Sequence, residues 1–320
     1  MAFIHLKKDW ALAERLATPE NVYMNRRYFM KAMGLVGAGA LIGATSGCDA
    51  ADDFVVEVPE SMPGLYPATR NTKYTVDRAL TSEKIAAQYN NFYEFTTDKA
   101  RVHKLTDKFE IHPWQIEIAG EVEKPGVYDL DDLLKKMPLE ERVYRFRCVE
   151  AWAMTVPWTG FPLKALIDEV QPKSNAKFLR MFTFNRPEQA PGIKSQSWYP
   201  WPYFEGLTMA EATNELTLLA TGIYGHAMPK QHGAPIRLVT PWKYGYKSIK
   251  SIVKIEFTKR QPPTFWNKLA PDEYDFYANV NPKVPHPRWS QASERLIDTG
   301  ERVPTRMYNG YGDFVAQMYG

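Results

Sequence analysis

The sequence predicts an α+β fold, in which mixed sheets are combined with short helices. Three observations indicate it: short strand-like segments recur among helix-like ones, aromatic residues make up 13% of the chain, and 24 of the 320 residues are proline. Frequent prolines fix turns and interrupt helices, so many short elements are expected rather than a helical bundle. The chain is long enough to bury one large core or two small ones.

The predicted elements follow one another closely between residues 115 and 257. Residues 115–118 alternate apolar and polar side chains and are followed by Gly120 and by Pro125-Gly126, which indicates a strand that ends in a tight turn. Pro162 suits the first turn of a helix, where its missing N–H does no harm. These patterns predict helices over 130–137 and 161–170, and strands over 115–118, 143–149, 178–184, 236–240 and 251–257.

The first fifty residues have the pattern of an export signal. Arg26-Arg27 precede an apolar run over 32–46, and this twin-arginine pattern is typical of proteins that are exported in the folded state. The run is shorter than the roughly 20 apolar residues that span a bilayer, which favours a cleaved signal over a permanent anchor. Lipidation at Cys48 is a weaker alternative. The sequence therefore predicts a periplasmic protein.

The charge balance excludes two classes of protein. Residues 1–50 contain six Lys and Arg against four Asp and Glu, which leaves 34 against 33 for the rest of the chain. A nearly neutral mature chain has neither the basic stripe of a nucleic-acid-binding protein nor a polybasic membrane patch.

The cysteines point to a single reactive position. The sequence has only two, and Cys48 falls within the predicted signal, so the mature chain is expected to have one thiol, at Cys148, and no disulfide. A lone cysteine often packs like a small apolar residue. Arg145 and Arg147 favour another interpretation, because nearby positive charge lowers the pKa of a thiol and favours the thiolate that attacks electrophiles or binds a soft metal.

Six stretches, in order along the chain, carry a resemblance to a known family. One is Tyr-Arg-Phe-Arg-Cys-Val-Glu-Ala-Trp at 144–152, and the others are 89–95, 157–163, 233–238, 241–247 and 277–282. In these stretches the chain resembles the sulfite-oxidase-fold molybdoenzymes, and within them the periplasmic protein-methionine-sulfoxide reductases. The resemblance implies a signal over 1–50, an extended arm over 51–84 and a molybdopterin-binding oxidoreductase domain over 85–320.

The resemblance also implies the residues of the site. Cys148 corresponds to the cysteine through which this family binds the metal of molybdenum-molybdopterin (Mo-MPT). Arg237 and Lys250 suit the phosphate of the pterin, while Ser248 and Ile249 would contribute mainly backbone N–H donors. The implied cofactor-binding residues are Asn90, Tyr93, Glu94, Thr183, His232, Arg237, Ser248, Ile249 and Lys250.

Two features of this region have a second interpretation. His232 stands where the family can have Asn, and although histidine still donates one hydrogen bond, the contact would then depend on pH. Without the resemblance, Lys243, Lys247, Lys250 and Lys254 would be interpreted as an ordinary solvated face.

The residues that follow Cys148 favour a neutral substrate. True sulfite oxidases have an arginine-rich turn there that helps to hold the sulfite dianion, whereas this chain has Glu150 and Trp152. A carboxylate repels an anion, and tryptophan favours a thioether-like ligand. Glu150 would face the metal if the strand continued, and we predict that it is a catalytic residue that delivers protons. An equally weighted alternative is a salt bridge to Arg145 or Arg147.

Together these features predict molybdenum-dependent reduction of methionine sulfoxide in oxidised periplasmic proteins, with electrons from a membrane haem-containing subunit that draws on the quinol pool. Besides that subunit and the protein substrates, the twin-arginine translocation machinery is a predicted partner, and the chain is otherwise expected to be a monomer. The alternatives are a small-molecule S- or N-oxide reductase, a sulfite dehydrogenase of the same fold, or a non-catalytic exported protein. An open site rimmed by aromatics is expected, with Trp152, Tyr244 and Trp266 as candidates, although core packing is their more common role.

Overall fold

Two mixed β-sheets form the framework of the protein in the computed structural model, which describes residues 54–320. The predicted export signal and Cys48 lie outside the described residues. The strands are β1 Gln115–Gly120, β2 Gly126–Asp129, β3 Glu140–Arg147, β4 Trp152–Pro162, β5 Phe178–Thr183, β6 Phe204–Thr208, β7 Leu218–Ile223, β8 His226–Ala227, β9 Arg237–Val239, β10 Ile252–Thr258, β11 Ser293–Leu296 and β12 Arg302–Pro304. The helices are α1 Glu83–Ala87, α2 Leu130–Leu134, α3 Leu163–Val170, α4 Pro191–Ser195, α5 Met209–Thr213, α6 Phe265–Leu269 and α7 Gly312–Val315. The predicted α+β fold is confirmed.

The first sheet has the strand order β2-β1-β10-β5-β6, and of its pairs only β1 and β10 are parallel. Strands β1 and β5 alternate, so that in β1 Ile116 and Ile118 are buried while Gln115 and Glu117 are exposed. Helix α3 contributes Leu166 and Ile167 to the same core cluster. Burial of each such side chain stabilises the fold by about 1.5–3 kcal/mol, which compensates for the shortness of the elements.

The second sheet is organised around β4. Strand β3 lies antiparallel to it from Glu140 opposite Gly160 to Arg147 opposite Ala153, and β11 and β7 pair with β4 as well. Gly160 allows β7 to come close, because a Cβ there would lie 2.1 Å from the carbonyl oxygen of Leu219. The sheet therefore fixes the ends of β3 and β4, between which residues 148–151 form a turn.

Two of the short helices begin at side-chain caps. The carboxylate of Asp129 accepts hydrogen bonds from the backbone N–H groups of Asp131 and Asp132 in the first turn of α2, at 3.0 and 3.3 Å. Thr208 and Glu211 form a reciprocal capping pair at the start of α5. Caps of this kind contribute about 1 kcal/mol each. That contribution is needed because helices of five residues do not form in isolation.

Residues 54–82 contain no helix or strand and follow the edge of the second sheet. The backbone N–H of Asn71 donates to the carbonyl of Glu141 at 2.8 Å, and the hydroxyl of Tyr66 donates to Thr221 at 2.8 Å. The predicted boundaries of signal, arm and catalytic domain stay a prediction.

Both predicted helices exist but are shorter than expected. The helix predicted over 130–137 ends at Leu134. The helix predicted over 161–170 begins at Leu163, because the two residues before it still belong to β4, and Pro162 is the residue that precedes the helix.

All five predicted strands are confirmed with shifted ends, and the strand predicted over 143–149 runs from Glu140 to Arg147. Strand β4 was not predicted, because its residues are buried on both faces and show no alternation. Pro157 and Gly160 within it also read as strand breakers. Among residues 54–320, no helix is long and apolar enough to cross a membrane.

Candidate active site

A cavity of about 360 Å³ lies where three stretches of the chain converge, and we call it the active cavity. Its walls come from residues 90–94, from the turn between β3 and β4, and from residues 245–250. Aromatic side chains complete the wall: Tyr93, Trp152, Tyr199, Trp266, Tyr274 and Trp289. The cavity therefore joins polar backbone-rich loops to an apolar lining, as small-molecule sites do.

Cys148 stands at the start of the turn that enters this cavity. Its N–H donates to the carbonyl of Trp152 at 2.9 Å, and its own carbonyl accepts from Ala151 at 3.1 Å. Ala151 has a φ of 60°, a left-handed conformation that closes the turn at a steric cost. The turn replaces the strand that the sequence predicted at residues 148–149, and it is what places the thiol against the cavity.

The thiol of Cys148 is buried, with 5% of the residue exposed. Burial raises the pKa of Cys148, and the charge of Glu150 raises it further. Two donors partly favour the thiolate: the Nδ2 of Asn91 at 3.4 Å and the N–H of Glu150 at 3.5 Å. The protein alone thus keeps the group as a thiol, and a bound metal ion would remove its proton.

The two neighbouring arginines have only part of the role that the sequence suggested. Arg147 is fully buried and its Nε donates to Glu294 at 3.0 Å, while Arg145 pairs with Asp77. Neither guanidinium lines the active cavity. The charge of Arg147 does lower the pKa of Cys148 as predicted, but burial and the charge of Glu150 outweigh it, so the pKa is raised overall.

Glu150 lies close to the thiol because the turn folds back on itself. Its Oε2 accepts from the Nδ2 of Asn91 at 3.0 Å and from the Nε1 of Trp152 at 3.1 Å, and its Oε1 lies 3.1 Å from the Nζ of Lys99. Burial tends to raise the pKa of Glu150, but these donors outweigh burial and lower it. The alternative salt bridge to Arg145 or Arg147 is therefore wrong, since the partner is Lys99.

An arginine without an acidic partner lies on another wall of the active cavity. The guanidinium of Arg237 is buried and donates only to carbonyls, those of Leu238, His232 and Ser248, at 3.3, 2.8 and 3.1 Å. Among residues 54–320 no carboxylate pairs with it. Burial lowers the pKa of Arg237 to about 9, so its charge is held there at a cost.

His232 and Lys250 line the same wall. The Nε2 of His232 is buried and has no hydrogen-bond partner among the described residues, and burial lowers the pKa of His232 to about 3. Burial thus favours the neutral imidazole in the protein itself, and the pH dependence of its contact with the cofactor stays a prediction. Burial also lowers the pKa of Lys250, and its Nζ lies 5.5 Å from the centre of the Phe92 ring.

These three groups fit a buried anion. A guanidinium, an ammonium and an unpartnered imidazole nitrogen face one cavity, and a phosphate dianion would accept hydrogen bonds from all of them. Gly233 makes the arrangement compact: its φ is +99°, and a Cβ there would lie 2.6 Å from the side chain of Lys250. We call Arg237, His232 and Lys250 the anion site.

The structure brings together most of the sequence-predicted site residues. Eight of the nine predicted cofactor-binding residues line the active cavity, together with Cys148 and Glu150: Asn90, Tyr93, Glu94, His232, Arg237, Ser248, Ile249 and Lys250. Thr183 does not line it, and its hydroxyl donates to the carbonyl of Ser251 at 3.3 Å. The binding roles of all nine stay predictions.

Ser248 and Ile249 do not offer free backbone donors in this structure. The N–H of Ser248 donates to Gly245 at 3.1 Å, and that of Ile249 donates to Lys247 at 3.0 Å. These two hydrogen bonds form an internal turn, so the backbone N–H groups of both residues are already used within the protein.

The lysines of this region are not a solvated face. Lys243 and Lys247 are fully buried and pair with Glu211 and Glu205 respectively. That alternative interpretation is therefore wrong for these two, because a carboxylate compensates each ammonium.

Sequence reasoning missed two residues that contact the reactive groups. Asn91 bridges Cys148 and Glu150, and Lys99 pairs with Glu150. Asn91 belongs to the stretch 89–95, in which the resemblance pointed to its neighbour Asn90. Lys99 has no local signal, since only the tertiary fold brings it to the turn. Of the predicted aromatics, Trp152 and Trp266 line the active cavity, whereas Tyr244 lines a neighbouring one.

Three comparisons with known proteins describe what the chain is similar to. Residues 103–266 match the model of the family described as the oxidoreductase molybdopterin binding domain. The protein-methionine-sulfoxide reductase catalytic subunit MsrP of Burkholderia mallei (strain ATCC 23344) is 51% identical over 306 residues, which cover 94% of this chain and 91% of that protein. The sulfane dehydrogenase SoxCD of Paracoccus pantotrophus, a solved structure, is 17% identical with a TM-score of 0.42, and the alignment covers 64% of this chain and just over half, 56%, of that chain.

The anion site predicts that Arg237→Met lowers the amount of molybdopterin that the folded protein retains. Charge-assisted hydrogen bonds are worth about 1.5–3 kcal/mol, so the loss is expected to be about tenfold or more. Molybdenum per folded protein and the fluorescence of the oxidised pterin measure it. Arg142→Met is the matched control, because Arg142 is equally buried but pairs with Glu140 outside the cavity. Equal cofactor content in both variants would contradict the assignment.

Proposed function

Because the chain belongs to the family of oxidoreductases with a molybdopterin-binding domain, and within it to the protein-methionine-sulfoxide reductase catalytic subunits, we propose that it reduces methionine sulfoxide in oxidised proteins to methionine. One observation of the structure carries the proposal: a buried thiol, Cys148, and a built anion site face a single cavity with an aromatic lining. That combination suits a metal held by one soft protein ligand and a phosphate-bearing organic cofactor.

Different residues of the active cavity would bind the metal and the phosphate of Mo-MPT. Cys148 would be the protein ligand of the metal, and Arg237, His232 and Lys250 would bind the phosphate. When bound, the cofactor supplies a two-electron redox centre for oxygen-atom transfer. The protein would hold the metal end and the phosphate end of the cofactor at fixed positions, because internal hydrogen bonds fix both the turn of Cys148 and the loop of Lys250.

The cavity selects a neutral sulfur compound. The carboxylate of Glu150 lies beside the thiol and repels an anion such as sulfite, while Trp152 and its aromatic neighbours favour a thioether or sulfoxide. Reduction of a sulfoxide consumes two electrons and two protons and releases water. Lys99 holds a proton on Nζ, 3.1 Å from Glu150 Oε1, so the pair offers a route from the partly exposed ammonium to the cavity.

The electron donor and the location follow from the same proposal. We propose that a membrane haem-containing subunit transfers electrons from the quinol pool, and that the chain works in the periplasm as a repair enzyme for envelope proteins. What supports this is the twin-arginine pattern at Arg26-Arg27 and the similarity to a protein named as a catalytic subunit.

The first test is oxidation of a reduced viologen dye by the purified exported protein when an oxidised protein substrate is added. We expect turnover by the wild type and none by Cys148→Ser, which also loses molybdenum. If the molybdenum-loaded wild type reduces no methionine sulfoxide, the proposed substrate is wrong and a small-molecule oxide or sulfite takes its place.

Glu150→Gln tests the catalytic role of the carboxylate. General acid–base groups contribute typically about 10²–10⁴-fold, so we expect kcat to fall by about 100-fold while molybdenum content stays the same. Glu117→Gln is the control, because Glu117 forms a comparable pair with Lys254 on the first sheet. An unchanged kcat would leave Glu150 with a purely structural role.

Export is tested with the paired change Arg26→Lys and Arg27→Lys. We expect the precursor to accumulate inside the cell and the periplasmic fraction to lose both the protein and its dye-linked activity. Unchanged amounts of periplasmic protein would show that another route exports it.

A further inference from the structure

A second cavity, of about 500 Å³, lies beside the active cavity and has no part in the chemistry proposed above. The two share Val149 and Tyr246 in their walls. We call the second cavity the adjoining groove. Its other walls come from residues 273–286, from the 3₁₀ turn Met307–Gly310 and from the end of the chain at 318–319.

The shared wall is held firmly in place. The carbonyl of Val149 accepts two hydrogen bonds, from the Nε1 of Trp289 at 2.8 Å and from the Nε2 of Gln291 at 2.7 Å. Trp289 lines the active cavity and Gln291 lines the adjoining groove. Since Val149 follows Cys148 directly in the chain, the groove begins one residue away from the reactive thiol.

The adjoining groove exposes apolar side chains to solvent. Tyr277 is 44% exposed, Val284 60% and Met307 41%. Three of the eight large exposed hydrophobic side chains among residues 54–320 therefore line this one groove. Clustered apolar exposure of this kind marks a binding surface, whereas single exposed residues are ordinary.

The groove combines polar and apolar side chains, since Glu273, Asp275 and Asn281 also line it, and this composition suits many different sequences. Met307 and Met318 have flexible, polarisable side chains that adapt to ligands of varied shape, and Tyr308 and Tyr319 add apolar area with a polar end. The walls are loops and 3₁₀ turns rather than long helices or strands. Promiscuous binding proteins use methionine-rich and loop-rich surfaces in the same way.

We propose that the adjoining groove binds the polypeptide segment next to the methionine sulfoxide in a protein substrate. This inference rests on the proposed function. When the sulfoxide side chain enters the active cavity, its sequence neighbours must lie at the mouth, and an extended chain advances about 3.3–3.6 Å per residue. Neighbouring residues therefore reach a groove that shares a wall with the active cavity. The ligand class is an extended or unfolded segment with apolar side chains within a few residues of the sulfoxide.

Val284→Glu and Met307→Glu test the proposal, because each replaces one of the exposed apolar side chains of the groove with a negative charge. We expect kcat/KM for an oxidised, unfolded protein to fall about tenfold, whereas kcat/KM for free methionine sulfoxide changes less than twofold. Val127→Glu is the matched control, since Val127 is 64% exposed on β2 and lines neither cavity. The control is expected to match the wild type with both substrates.

A binding measurement gives a readout that does not depend on turnover. A fluorescent peptide with a central methionine sulfoxide and apolar flanks is titrated with the cofactor-loaded enzyme without reductant, and its anisotropy is followed. We expect Kd to rise about tenfold in both groove variants and to stay unchanged in Val127→Glu.

The outcomes separate this inference from the function on which it rests. If the wild type reduces both substrates but the groove variants lose activity equally with both, or lose none, the groove proposal alone is wrong. If the wild type reduces free methionine sulfoxide but no oxidised protein, the groove proposal and the protein substrate of the proposed function are both overturned, while sulfoxide reduction itself stands. A wild type that reduces neither overturns the proposed function and the groove together.

Discussion

The position of Cys148 depends on one fully buried guanidinium. Arg147, the last residue of β3, donates to the carbonyl of Cys148, to Glu294 on β11 and to Gln291. These contacts connect the turn of Cys148 to β11, which also pairs with β4. Removing one partner of such a buried pair typically costs about 3–5 kcal/mol, because the other charge stays buried and uncompensated. The geometry of the thiol is thus set by the sheet and not by the cavity.

Buried charges in this protein fall into two groups. Lys243 and Lys247 each have a carboxylate partner, and their Nζ atoms also donate to the carbonyls of Tyr277 and of Gly206 on β6 respectively. Arg237 has no such partner among the described residues, and Lys250 forms no ion pair there but interacts electrostatically with the buried carboxylate of Glu94; both basic residues line a cavity. A buried ammonium that pairs with a carboxylate needs no further partner, whereas a buried cation without an acidic partner indicates that a bound anion compensates its charge. The fold thereby marks which basic residues serve structure and which serve binding.

The sequence was informative where signals are local. The segment around Cys148 and the strands with clean alternation could be recognised, because their patterns lie within ten residues. Strand β4 could not, since burial on both faces removes the alternation that identifies a strand. The partner of Glu150 could not either: Lys99 is about fifty residues away in sequence, and the nearer arginines turned out to be paired with Asp77 and Glu294. Charge proximity along the chain is a poor guide to charge proximity in space.

The cysteine content has a further consequence for durability. Within residues 54–320 Cys148 is the only cysteine, so no second thiol in the folded domain can trap it as an internal disulfide in an oxidising compartment. Its remaining route of damage is stepwise oxidation of the sulfur itself, which requires an accessible thiolate. Burial withholds that species, because it raises the pKa of the thiol and covers the sulfur. A member of a family of protein-methionine-sulfoxide reductases thus keeps its own cysteine in the form that oxidants attack least.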